Sequence, residues 1–168
     1  MNKKLKEVKN IFLDLDNFNC YGCSPHHSHG FQLKFFYDEQ EKIIQSPLKN
    51  ISNDKSGFPG VLHGGFGALL LDEIMFWCIF QFCQKISVTA GMDIKFIKTQ
   101  KTNQPALLKS RVIKSIQDKI FKVEGWIEQD KEVVTKATGK YVVPPKKDFM
   151  VNVGAEKLPE YFDSFFHS

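Results

Sequence analysis

Hydrophobic and polar residues fall into a few distinct rhythms along this chain. From about Leu62 to Phe82 nearly every position is apolar, a run too long for a strand, and it predicts a helix buried on almost all sides. Four later segments read as strands: Ser87 to Lys98, Ala106 to Ile116, Ile120 to Gln129 and Glu132 to Val143. The connections Gln117-Asp118-Lys119 and Asp130-Lys131 are hairpin-sized, so these neighbours are expected to pair antiparallel. Ahead of the helix, Phe31-Gln32-Leu33-Lys34-Phe35 alternates as a half-buried strand should, and a second short strand is expected near Ile43 to Leu48. Leu5, Val8, Ile11, Phe12 and Leu15 recur at helical spacing and predict a short amphipathic arm over residues 1–19.

Pro144-Pro145 ends the last strand, because proline cannot continue a ladder. The tail from Lys146 is polar, with a late aromatic group at Tyr161, Phe162, Phe165 and Phe166; it packs as a short helix or swings as an arm. The expected division is an arm at 1–19, one domain at 20–145 and a tail at 146–168. One long apolar helix and about six antiparallel strands have a simple packing solution, an α+β architecture in which a curved sheet wraps the helix.

Composition agrees with this reading. The chain has 168 residues, 42% of them hydrophobic and 16 of them phenylalanine, enough for one aromatic-rich core. The net charge of +4 comes from scattered lysines, with Arg111 the single arginine, so the clustered basic readout of nucleic acid is not expected. A mildly basic surface suits an anionic ligand such as a nucleotide-bearing thioester. No apolar segment follows the charged start, and the apolar run Ile74 to Phe82 is too short to span a bilayer. Four cysteines without an export signal imply free thiols in a reducing cytoplasm, and no membrane partner is expected.

The candidate chemistry lies where the helix begins. Pro59-Gly60-Val61-Leu62-His63-Gly64-Gly65 leads into the apolar run, which carries two adjacent carboxylates, Asp72 and Glu73. Taking an acid out of water is costly unless it is paired or used. Two glycines at a helix start expose backbone N–H groups able to hold a developing oxyanion. An acid and an oxyanion cradle together suggest hydrolysis at a carbonyl.

The stretch Gly60-Val61-Leu62-His63-Gly64-Gly65, with Asp72 nine residues after His63, resembles the hotdog-fold acyl-CoA thioesterases of the phenylacetyl-CoA thioesterase-like group. Cys20-Tyr21-Gly22-Cys23 followed by Gly30-Phe31-Gln32-Leu33-Lys34-Phe35 is similar to the amino-terminal pattern of many such proteins. Ser87 to Phe96 resembles the strand after their central helix. The resemblance implies that Asp72 activates water or attacks the thioester, that the Gly64 N–H binds the carbonyl oxygen, and that His63 shapes the pocket. It requires no cofactor. It also implies a homodimer, or a dimer of dimers, with sites at the interface. Many relatives carry asparagine six residues before the histidine; here that position is Gly57, and Asn53 or Ser56 are the candidates to replace it.

Spacing points the same way. Gly64 and Asp72 are eight residues apart, about 12 Å along one helix. One carbonyl cannot touch both, but two antiparallel helices would set Gly64 of one copy against Asp72 of the other. Thr89 on the following strand is a candidate partner for water, and Gly65 and Glu73 are further candidates for substrate contact. Glu73 points about 100° away from Asp72 and is expected to be solvated or at the interface.

Other features have simpler readings. Cys20-x-x-Cys23, with His26, His27 and His29, has zinc-ligand chemistry, but no second pair follows; the expectation is free thiols on a surface turn and no metal. Cys78 and Cys83 are expected as small core residues. Lys95, Lys98 and Lys101 read as a solvated edge, with contact to coenzyme A phosphates as the alternative. A hotdog module that binds acyl-CoA or fatty acid without cleaving it remains the second functional reading, supported by Gly57.

Overall fold

The computed structural model describes residues 5–166. In chain order the described strands are β1 (Lys6–Glu7), β2 (Phe36–Asp38), β3 (Ile43–Leu48), β4 (Ser56–Phe58), β5 (Val61–Leu62), β6 (Val88–Phe96), β7 (Ala106–Ile116), β8 (Ile120–Gln129) and β9 (Glu132–Val142). Helix α1 (Gly64–Cys83) lies between β5 and β6, and α2 (Lys146–Val153) follows β9. Seven strands form one antiparallel sheet in the order β1-β2-β3-β7-β8-β9-β6, and β4 and β5 form a small hairpin ahead of α1. This is the α+β arrangement the pattern predicts, with the sheet wrapped around α1.

The two hairpins β7–β8 and β8–β9 form for local reasons. Gln117 and Asp118 in the first, and Asp130 and Lys131 in the second, all take positive φ, the twist that matches flanking strands. Helix α1 is apolar nearly all round because the sheet and the chain ends cover it. Leu70, Leu71, Ile74, Met75, Trp77, Cys78 and Ile79 are fully buried, each large one contributing about 1.5–3 kcal/mol. Glycines in the sheet make the close approach possible: a Cβ at Gly125 would lie 2.9 Å from Met75 Cγ. By length and composition α1 is long and apolar enough to cross a membrane, which the shorter run Ile74 to Phe82 did not suggest. In this fold it is the core helix.

Two expectations for the first forty residues are corrected. The helical spacing at Leu5 to Leu15 does not make a helix. Lys6 and Glu7 pair with Tyr37 and Phe36 in the sheet, and only Ile11–Asp14 turns, as a 3-10 helix capped by the Asn10 side chain. Residues 1–4 of that expected arm lie outside the described residues. Phe31 to Phe35 is not a strand, since Gln32 takes φ 50 and the N–H groups of Phe31 and Leu33 donate to Tyr21 and Gly22 carbonyls. Leu33 and Phe35 are nevertheless buried, so the alternation was real and its cause was a loop laid on the core.

The tail packs. Phe162 and Phe166 are buried, and Phe12 meets Phe76, Trp77, Phe80 and Phe162 with ring centroids 5.6–6.0 Å apart. Both described chain ends therefore close over the C-terminal half of α1.

Candidate functional site

His63 sets the start of α1. Its backbone is extended, and its Nδ1 accepts from the Gly65 N–H at 3.0 Å, so the imidazole is the N-cap. Gly65 is thereby occupied. Among the described residues no acceptor meets the Gly64 N–H, which stands exposed at the positive end of a 20-residue helix. The Phe96 ring covers one side: a Cβ on Gly64 would lie 3.3 Å from it.

Two turns along, the Asp72 carboxylate is held by hydroxyls. Thr89 donates to Oδ1 at 2.6 Å and Tyr141 donates to the same oxygen at 2.9 Å. Burial, then the Asp72 charge, pushes the Tyr141 phenol far up, so it remains a proton-bearing donor. Thr89 reaches Asp72 from an irregular point in β6, where the pairing with β9 shifts between Thr89 and Gly91. Both hydrogen bonds land on Oδ1, so Oδ2 is the oxygen left for chemistry.

Tyr141 was not anticipated from the sequence. Its only signal there is an aromatic residue at an inward position of the last strand, 69 residues from its partner.

The structure separates other expected site residues. Glu73 is not solvated: its Oε1 lies 2.8 Å from Cys20 Sγ, and its Oε2 is buried without a hydrogen-bond partner among the described residues. Burial above all pushes its pKa up to about 8. Cys23 is buried rather than on the surface, and Cys78 is core, as expected. His26 and His29 are exposed, and His27 packs on the Tyr21 ring at 4.7 Å, so none of the three joins the thiols. Met75 and Trp77 are core. Lys95, Lys98 and Lys101 are exposed, with Lys98 paired to Glu132 at 2.7 Å.

Gly57 packs against the cap. A Cβ there would sit 3.2 Å from His63 Cδ2, so an asparagine would require the ring to move. Neither proposed replacement reaches the site. Asn53 Oδ1 accepts from Ser56 at 3.0 Å and from Thr102 at 2.9 Å, so these side chains serve one another.

Gly64 and Asp72 lie on the same helix, about 12 Å apart along its axis. The single chain therefore splits the two halves of a carbonyl-hydrolysis site. Beside Asp72, β6 is an edge strand of the sheet; Val88 and Phe96 in it and Ile97 just after it are 41%, 58% and 48% exposed.

No family model matches the chain, and no curated protein matches it by sequence. Solved structures do match it. A thioesterase superfamily protein aligns with a TM-score of 0.65 at 19% identity, over 73% of this chain and 59% of its own length. A phenylacetic acid degradation-related protein from Ralstonia eutropha gives 0.62 at 15% identity, over 71% of this chain and 91% of that one. The fold is the hotdog fold. A Streptococcus mutans protein bound to acetyl CoA gives 0.56 at 20% identity, over 61% of this chain and 82% of that one. This chain spans less than two thirds of the first protein's length. The neighbours named as thioesterases support the hotdog thioesterase-like group that the His63 to Asp72 motif resembles.

Proposed function

We propose that this protein is an acyl-CoA thioesterase that hydrolyses a fatty or aromatic acyl-CoA at a site shared by two copies of the chain. The observation that carries the reading is the Asp72 carboxylate, held through one oxygen by Thr89 and Tyr141 beside an open sheet edge. The Gly64 N–H on the same helix, without an acceptor among the described residues, supplies the complementary half. Coenzyme A as the carrier draws support from the acetyl CoA bound to the S. mutans neighbour.

An exposed, apolar edge strand is a template for pairing with another chain. A second copy added antiparallel at β6 would continue the sheet and set the two α1 helices side by side, giving two equivalent sites. Each would hold Asp72 of one copy and Gly64 of the other, as a homodimer or as a dimer of dimers.

In such a site Asp72 Oδ2 takes a proton from water as the water oxygen attacks the thioester carbonyl. The carbonyl oxygen becomes an oxyanion at the partner's Gly64 N–H, strengthened by the helix terminus. Collapse expels the coenzyme A sulfur, which receives the proton back from Asp72, and the free acid leaves. The alternative is direct attack by Oδ2 through an anhydride that water then cleaves. In either route Thr89 and Tyr141 fix the carboxylate so that Oδ2 faces the substrate.

A second reading, a hotdog module that binds acyl-CoA without turnover, is favoured by Gly57 and by the engagement of Asn53 and Ser56 with each other. One experiment separates the two. Thiol release is measured from short, long and aromatic acyl-CoAs with wild type and Asp72→Asn. Turnover by wild type that collapses in the variant supports the thioesterase. Saturable binding with no turnover selects the module, and neither turnover nor binding rejects both.

A further inference from the structure

A cluster on the other side of α1 plays no part in that chemistry. Cys20 Sγ, Cys23 Sγ and a Glu73 carboxylate oxygen all lie within 4.8 Å of one another. Cys23 is buried, and the other oxygen of the same carboxylate, Glu73 Oε2, is buried with no hydrogen-bond partner among the described residues. An orphaned buried acceptor is costly, which asks what satisfies it.

Two backbone hydrogen bonds shape the turn. The Gly22 N–H donates to Cys20 Sγ at 3.3 Å, and the Ser24 N–H donates to the Cys20 carbonyl at 3.0 Å. Gly22 is also the reason the turn can reach the helix: a Cβ there would lie 2.3 Å from Glu73 Cγ.

We propose that Cys20, Cys23 and Glu73 form a binding site for a single zinc ion that ties the Cys20–Cys23 turn to the central helix. Two soft thiolates and a carboxylate are a zinc ligand set, and three protein ligands leave one position for water. The ion would neutralise both thiolates and give Glu73 Oε2 the partner it lacks. A disulfide between the two cysteines fits less well, because it would leave the buried carboxylate stranded. The inference is independent of the thioesterase reading: it concerns a different face of α1 and its test needs no substrate.

The full-length protein, purified under reducing conditions and stripped with chelator, is titrated with cobalt(II) and then with zinc. The expected result is a thiolate-to-cobalt charge-transfer band saturating at one ion per chain, erased by zinc. Cys20→Ser should lose the band, and Cys83→Ser, outside the cluster, should keep it. Glu73→Gln and Gly22→Ala, which removes or displaces the third ligand, should weaken affinity on the order of 10–100-fold or more. A folded wild type with no band in reductant overturns the proposal, as does a Glu73→Gln protein that binds cobalt as tightly as wild type. A native Cys20–Cys23 disulfide, two hydrogens lighter by intact mass, overturns it too.

Discussion

Asp72 and Glu73 are consecutive residues of one helix, yet their surroundings have almost nothing in common. Asp72 looks toward the open β6 edge and is held by two hydroxyls through one oxygen. Glu73, about 100° further round the helix, is driven into a buried turn beside two cysteines and keeps an oxygen with no partner among the described residues. One carboxylate is kept polar, oriented and reachable; the other is desolvated and pushed toward its neutral form. A residue type in an apolar helix therefore says that something is at stake, and the neighbouring elements say what. The hydroxyl cage suits the proton transfer proposed for Asp72, and the thiol pair suits the proposed metal site.

The sharpest way to break this contrast is to neutralise each acid in turn. Asp72→Asn is expected to lower acyl-CoA turnover by about 10²–10⁴-fold, the usual worth of a positioned base, while the protein still folds. An equal loss in Glu73→Gln would erase the distinction. Next comes Gly64→Pro. Proline is accommodated at the first helical position, and the extended backbone of His63 suits a following proline, so the variant should fold while lacking the N–H. Turnover should fall about 10²–10³-fold if that group meets the oxyanion; unchanged turnover would remove Gly64 from the site.

Tyr141→Phe tests the cage itself. Removing a hydroxyl that donates to a carboxylate should cost about 1.5–3 kcal/mol in urea unfolding. It should also lower kcat more than it alters KM, and a variant as stable as wild type would show that the hydrogen bond is not formed. The smallest effect is expected for Glu73→Gln, whose turnover should fall by less than about tenfold, under about 1.4 kcal/mol of barrier. A larger loss in kcat would draw Glu73 into the hydrolytic site.

Much of the fold was legible because it is written in local periodicity. The span Ala106 to Ile116 is β7 and Ile120 to Gln129 is β8, with both hairpins where two or three turn residues allow them. The helix, expected over Leu62 to Phe82, runs Gly64–Cys83 because His63 caps it. What misled the reading were the first forty residues. There the spacing of Leu5 to Leu15 and the alternation of Phe31 to Phe35 record burial against distant elements rather than local structure.

The site divided in the same way. The motif at His63, Gly64 and Asp72 lies within ten residues and was visible at once. Tyr141, and the turn that captures Glu73 from 53 residues away, are products of the fold and leave no short-range trace.

The closure of the two chain ends over α1 carries a consequence for the order in which the molecule assembles. Phe12 packs on Phe162, and Tyr161 hydrogen-bonds Asp14 across a separation of 147 residues. The β7–β8–β9 meander joins near neighbours, whereas this clasp must close nearly the whole chain, and the entropy of closing a loop rises with its length. The hairpins are thus expected early and the clasp late. Its frayed opening would expose the aromatic rings around Trp77 while the sheet still holds, so a protease or an exchanging amide should register the tail before any strand. The last contact made in folding is then the first released, and the molecule loosens from its ends inward.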